Sequence, residues 1–486
     1  MTKNYRPVSL SIILLTLYLS ACASTGDPSF GDAPSAAELS LEQLGTDIPR
    51  LNDPIILVHG FLGFDSESET GLAFPYWGGT LDLEKRLTKR GFQVHTARVG
   101  PVSSNWDRAC ELYAYIKGGW VDYGAAHARK FGHARYGEYY PGVFPEWGSV
   151  SAENGRIQKV HLIGHSMGGQ TARLLTELLA YGSRAEIRAA SQERTAEAKA
   201  MADRHQRARR AERSDRGLSE LFTGGHRWVA SITTIATPHD GTTLTQRYED
   251  VGTLERLFAR MVTRSSLQKE DPLIQLHLQH WAERRRENET FEQFLMRAIR
   301  RDLWQDTEDF SYFDLTLQGA MQLNMQTTTH SDVYYFSWAT SRTVPEGPEG
   351  HHVPMRGMSL LLHPLARYMG SLTELPSKVA GEPEQWWEND GIVNTCSMDG
   401  PSLGRHTAIK RYTEPPKPGV WNFMGTLKPL DHLQVSLVLP ISGDAPPGYA
   451  SLAEFYERWC RFLVNLPAEY SDGFEFGGEF SRGQLP

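Results

Sequence analysis

Cysteine is scarce, with four in 486 residues, which is too few for a disulfide framework. No internal stretch reaches the roughly 18 consecutive apolar residues of a membrane span. Neither sign of charge dominates. Fifty Lys and Arg stand against 58 Asp and Glu, a net charge of −8. Wholesale electrostatic binding of nucleic acid is therefore disfavoured. What is present is an ordinary globular composition, 40% apolar and 10% aromatic. It excludes disordered, collagenous and coiled-coil chains.

The first residues read as an address. Lys3 and Arg6 form a basic region, and residues 10–19 an apolar one too short to cross a bilayer. Leu19-Ser20-Ala21-Cys22 follows. Small residues before a cysteine at this place resemble the bacterial lipobox. The resemblance implies a signal peptide over residues 1–21 and acylation of Cys22. Each buried CH₂ contributes about 0.8 kcal/mol, and two or more chains anchor stably. The lack of an Asp just after the cysteine implies the outer membrane of a Gram-negative cell. A plain secretory signal with a chance cysteine, giving a secreted or periplasmic protein, is the alternative. Residues 22–51 are rich in Ser, Ala, Gly, Asp and Pro and read as a tether. Residues 52–468 are expected to form one domain, and 469–486 a tail.

Within that domain, residues 54–58, 93–98, 159–164, 228–236 and 333–339 are apolar runs of strand length. Residues 81–89 and 170–179 carry helical spacing. Strands alternating with helices predict an α/β architecture, a mostly parallel central sheet with helices on both faces. Two stretches interrupt it. Residues 183–216 hold ten basic and six acidic residues. They read as a solvated helix or loop, or alternatively as a basic membrane-surface patch. In residues 248–281, Val251, Leu254, Leu257, Phe258, Met261 and Val262 recur at helical spacing. This is either a helix packed on the core or a mobile helical lid, about 248–285, over an apolar cleft.

Gly164-His165-Ser166-Met167-Gly168 matches G-x-S-x-G. An apolar run precedes it and a helical one follows, the context of the nucleophile elbow of an α/β-hydrolase fold. A serine hydroxyl needs a base, and here the base should be a late histidine preceded by an acid. His432 lies in a Gly/Pro-bounded loop near the C-terminus. Asp390, in the turn Asn389-Asp390-Gly391, is the expected acid, with Asp240 as its rival. The oxyanion hole needs two backbone donors. Met167, after the nucleophile, and Phe61, after His59-Gly60, should supply them.

Longer stretches then carry a resemblance. They include His59-Gly60-Phe61, Tyr76-Trp77-Gly78-Gly79, the run from Gly100 to Glu111, and the run from Gly119 to His127. His133-Ala134-Arg135, the Thr233 to Thr243 run, Glu388 to Thr395 and Asp431-His432-Leu433 complete the set. Together they resemble the true lipases of the thermophilic Bacillus/Geobacillus and staphylococcal group. The resemblance runs from about residue 54 to about 465. It implies a Ser166, Asp390 and His432 triad, a structural role for Asp240, and a large lid. Asp107, His127 and His133 suit a metal by residue type. The resemblance makes them zinc ligands, with Asp309 as the fourth; Asp306 is one register away. Such a closed site would be structural, tying a zinc-binding insertion over about residues 101–147 to the lid base. The resemblance also implies calcium beside the His432 loop. There Gln434 and Leu439 replace the family's acidic ligands, and Gly357 matches a backbone ligand. Calcium wants hard anionic oxygens, so the calcium site is expected to be absent or weakened.

The implied activity is hydrolysis of carboxylic esters in long-chain acylglycerols at a lipid interface. Phospholipase A or broad carboxylesterase activity is the runner-up, and an inactive lipid-binding surface module a remote third. No nucleic-acid partner is expected. Oligomeric state, and any pairing among Cys110, Cys396 and Cys460, are open.

Overall fold

The computed structural model describes residues 53–63, 75–202, 217–246, 279–281, 307–375, 382–404, 407–436 and 445–467. Cys22, the 22–51 tether, the 469–486 tail and nearly all of the expected lid lie outside them.

The strands in chain order are β1 (Ile55–Val58), β2 (Val94–Thr96), β3 (Gly119–Asp122), β4 (Tyr136–Tyr140), β5 (Val160–His165) and β6 (Val229–Ile235). They continue as β7 (Tyr334–Thr340), β8 (Thr343–Glu346), β9 (His351–Pro354), β10 (Ile409–Arg411) and β11 (Trp421–Leu427). Seven form one sheet in the order β10-β11-β7-β6-β5-β1-β2, with every neighbouring pair parallel. β3–β4 and β8–β9 are separate antiparallel hairpins.

The sheet is covered on both faces, and the sequence period shows it. Ile55 and Leu57 of β1 enter one core cluster, while Ile56 and Val58 enter the other. The helices are α1 (Leu83–Lys89), α2 (Asn105–Lys117), α3 (Ala125–Phe131), α4 (Met167–Tyr181) and α5 (Arg184–Ala202). After them come α6 (Ser311–Leu315), α7 (Leu317–Gln326), α8 (His363–Met369) and α9 (Leu452–Val464). α1 and α9 cover the first face through Leu83, Leu87, Phe455, Trp459 and Leu463. α2 and α4 cover the second through Leu112, Ile116, Leu175 and Leu179. Buried residues in α9 fall three and four apart, and its N-cap Ser451 accepts from Glu454 N at 3.1 Å.

The five apolar runs are strands with ends shifted by at most two residues, and both helical spacings are helices. β10 and β11 escape sequence reading because Lys410, Arg411, Asn422 and Gly425 break the apolar pattern at a sheet edge, and β11 carries a register shift. The charged stretch begins as α5, whose Glu186 is buried. Its remainder from 203 to 216 lies outside the described residues. Cys110, Cys396 and Cys460 are all free thiols. Among the described residues no helix is long and apolar enough to cross a membrane.

Trp459 fixes the α9 face. It is fully buried against Phe336, Trp338 and Phe462, and its Nε1 donates to Thr233 Oγ1 at 3.1 Å. Trp459→Ala should lower unfolding stability by about 3–5 kcal/mol. Urea denaturation reads this as a lower midpoint at unchanged slope, and an unmoved midpoint would contradict it.

Candidate active site and metal centre

Ser166 lies at the bend between β5 and α4, with φ +55° and ψ −131°. A non-glycine residue there is strained by about 1–3 kcal/mol and persists only where its surroundings over-determine it. The surroundings do so. Ser166 N donates to Ile235 O at 2.9 Å, and Thr237 Oγ1 donates to Ser166 O at 2.8 Å. Two glycines make room. A Cβ on Gly168 would fall 2.1 Å from Val58 O, and one on Gly60 would fall 2.6 Å from Ser166 Cβ. The loop after β1, which carries Phe61, therefore passes directly over the serine. Met167 opens α4, so its N–H belongs to the helix turn that has no intrahelical acceptor.

Asp390 and His432 are joined. His432 Nδ1 and Asp390 Oδ2 are 2.8 Å apart, and His432 N donates to Asp390 O at 3.0 Å. Asp390 is held in turn. Its Oδ1 accepts from Ile392 N and Val393 N at 3.0 and 2.8 Å, and its Oδ2 accepts from Thr340 Oγ1 at 2.6 Å. With Nδ1–H donated to the carboxylate, Nε2 of His432 is left as the proton acceptor.

The link between elbow and base is His165, which sequence reading passed over. Its Nε2–H donates to His432 O at 3.0 Å, and the two rings lie 4.7 Å apart. Its Nδ1 accepts from the Tyr76 hydroxyl, whose oxygen in turn accepts from Gly60 N at 3.3 Å. Burial pushes the Tyr76 hydroxyl up to about 12 and holds His165 well below the usual imidazole range, so the chain stays neutral. Both residues stood inside quoted motifs, but nothing in spacing marks them. Buried Arg108 holds the same loop, donating to His59 O and to Gly100 O, the latter at 2.7 Å. Asp240 is occupied elsewhere. Its oxygens accept from Ser402 N, Leu403 N and Asn324 Nδ2.

Asp107, His127, His133 and Asp309 converge, with one potential ligand atom from each lying within 4.8 Å of the others. The group can hold a metal ion, and its details fit one. Asp107 Oδ1 and His133 Nε2 are buried without a hydrogen bond. His133 Nδ1–H donates to Ala134 O at 2.9 Å, which turns the Nε2 lone pair inward. His280 Nε2 lies 2.8 Å from Asp107 Oδ2 and orients that carboxylate from outside. His280 comes from the stretch read as lid, far from the other ligands in sequence, and no spacing pointed to it. Burial pushes His127 down, but hydrogen bonds and charges from Asp107 and Asp309 outweigh it and raise the imidazole to about 9. The site thus draws positive charge. Glu186 of α5 accepts from Ala126 N and His127 N, both at 2.8 Å, and fixes the start of α3. Asp306 lies outside the described residues.

Beside His432, the described residue at the expected calcium place is already engaged. Gln434 Oε1 accepts from Arg342 Nη1 at 2.7 Å and from Asp431 N at 2.8 Å. Gln434 Nε2 donates to Gly357 O at 3.3 Å. A guanidinium already faces those oxygens, and no carboxylate replaces the amide. Leu439 lies outside the described residues.

Purified protein should carry close to one equivalent of divalent metal per chain by elemental analysis. Asp107→Asn with His133→Ala should lose it and melt at lower temperature. Metal-free wild type of undiminished stability would contradict the reading. A calcium-selective chelator should leave the melting temperature unchanged.

A family model described as "Lipase-like, C-terminal domain" matches residues 51–469. The lipase of Staphylococcus hyicus is 34% identical over 448 residues, covering 91% of this chain and 62% of that protein. Lipase 2 of Staphylococcus aureus is 34% identical over 422 residues, covering 86% of this chain and 55% of that protein. The chain thus spans little more than half the length of these relatives. Among solved structures, lipase 1 from Pelosinus fermentans matches with TM-score 0.70 and 37% identity over 86% of this chain and 99% of that one. EstA from Clostridium botulinum matches with TM-score 0.72 and 36% identity, covering 91% and 92%. The parallel seven-stranded sheet, the bend at Ser166 and these matches agree: the chain belongs to the lipase-like, C-terminal domain family and has the α/β-hydrolase fold.

Proposed function

We propose that the protein is a lipase, a serine hydrolase that cleaves carboxylic esters of long-chain acylglycerols. Ser166 is the nucleophile, His432 the base and then the acid, and Asp390 the group that orients and stabilises the imidazolium. The observation that carries this reading is the strained Ser166 beneath the Gly60 loop, one residue from a histidine that contacts His432. The named lipases among the relatives support it.

Ser166 Oγ attacks the ester carbonyl as His432 Nε2 takes its proton. The backbone N–H groups of Phe61 and Met167 receive the developing oxyanion, each such donor contributing about 3–4 kcal/mol to the transition state. The alcohol leaves with the proton from His432, and an acyl-enzyme remains. Water, deprotonated by His432, then attacks the acyl carbon and releases the fatty acid and Ser166.

In this reading the metal at Asp107, His127, His133 and Asp309 is zinc, because two imidazole nitrogens and two carboxylate oxygens suit four-coordinate zinc. Bound there, it would tie α2, α3 and the start of α6 together. Cys22 is read as an acylated anchor, on the strength of the motif that precedes it.

Ser166→Ala should lower kcat by roughly 10⁶-fold, the order seen when a triad nucleophile is removed. A fluorophosphonate should label the wild type and not the variant. A variant retaining most of its esterase activity would refute the mechanism. Turnover of trioleoylglycerol against phosphatidylcholine and short-chain esters tests the substrate class. A clear preference for phospholipid or for soluble esters would replace the acylglycerol assignment.

A further inference from the structure

Arg342 follows β7 directly, and only 3% of its surface is exposed. Its guanidinium lies among backbone oxygens. Nη1 donates to Pro429 O at 2.7 Å as well as to Gln434 Oε1 at 2.7 Å, and Nη2 donates to Arg356 O at 2.9 Å. Its backbone N–H donates to Asn389 O at 3.1 Å. Pro429 and Gln434 bracket His432, and Asn389 precedes Asp390.

We propose that Arg342 is the positioning residue of the catalytic base, a cation built into the chain whose guanidinium ties the His432 loop to the turn at Arg356, while its backbone amide holds the Asp390 loop. This deepens the function proposed above and rests on it. A buried positive charge must be solvated, and here carbonyl dipoles from two segments do so. Each of those carbonyls gains a charge-assisted bond, which is shorter and stronger than a neutral one. A guanidinium suits the task because its planar fork directs donors along several fixed lines at once. A lysine ammonium reaches fewer acceptors and fixes none of their directions. The resemblance implied a calcium ion beside this loop, where the described residues place the Gln434 amide against a guanidinium. The positive charge at that place comes from the protein.

The loop has further ties. Asp431 Oδ2 accepts from Ser359 N and Oγ at 2.7 and 2.8 Å, and Asp431 Oδ1 accepts from Leu433 N at 3.0 Å. These shape the turn. Arg342 reaches the base loop through its guanidinium and the acid loop through its backbone N–H. A shift of about 1 Å in the base is enough to cost about 10²-fold in rate.

The test compares wild type, Arg342→Ala, Arg342→Lys and Gln434→Met on a soluble short-chain ester, normalised to folded protein by circular dichroism. Arg342→Ala should lose about 100-fold in kcat with KM within about twofold. Millimolar methylguanidinium should restore at least about a tenth of the lost kcat, while tetramethylammonium should not. Arg342→Lys should recover little. If Arg342→Ala does not fold, Gln434→Met carries the test, because it removes one acceptor and leaves the guanidinium. Its kcat should then fall at unchanged KM. Wild-type kcat per folded molecule in either variant, or a loss that follows only the folded fraction, overturns the proposal. Fluorophosphonate labelling of the wild type separates the two readings. A labelled wild type with indifferent Arg342 variants leaves the serine mechanism standing. An unlabelled wild type removes both.

Discussion

A single strained backbone position organises the molecule. Ser166 cannot relax its φ of +55° without withdrawing its N–H from Ile235 and its carbonyl from Thr237. The partners are the last residue of β6, which pairs with β5, and a residue just beyond it. The strain, on the order of 1–3 kcal/mol, is small against the burial of two core faces, and so it persists. The close approach of Gly60 follows from the same bend, since any side chain there would meet Ser166.

A bent serine is useful only if its partners keep station, and the partners arrive on loops. The fold answers with polar ties that run from loop to loop. One passes from Gly60 through Tyr76 and His165 to the carbonyl of His432. Another passes from the His432 loop through Arg342 to Asn389. Both are buried, where an unmade hydrogen bond costs about 1–3 kcal/mol, so each discourages intermediate positions. The first tie carries no net charge and the second carries one positive charge. The neutral tie meets the carbonyl of His432, while the charged tie meets Pro429 and Gln434.

Much of this was legible in the chain. The elbow could be read because G-x-S-x-G constrains backbone as well as chemistry, and the strand–turn–helix context repeats the constraint. Asp390 stood out against Asp240 only weakly by sequence. The structure separates them by partner, His432 for one and the Ser402 loop for the other. His165, Tyr76 and His280 were not legible, because an orienting role depends on contacts across 89, 267 or 173 positions and leaves no periodic trace. The edge strand β10 and its neighbour β11 were missed for a different reason. Strands at or near a sheet edge tolerate charge and glycine, and the period-two signal fades there.

The candidate metal group and the proposed nucleophile lie apart in the sequence. Here they meet on one turn of α2. Asp107 points into the ligand group, and its neighbour Arg108 points the other way, to His59 O and Gly100 O. Burial lowers Arg108 only to about 10, so it stays charged near neutrality and keeps both carbonyls. Thr171 of α4, one turn beyond the serine, accepts from Arg108 Nε at 3.0 Å. The loop over Ser166, the helix that begins at Met167 and the helix that bears Asp107 therefore share one buried guanidinium. Any disturbance that rotates α2 about its axis moves the ligand group and the loop over the serine together. That coupling follows from two adjacent residues on a rigid helix pointing to opposite sides.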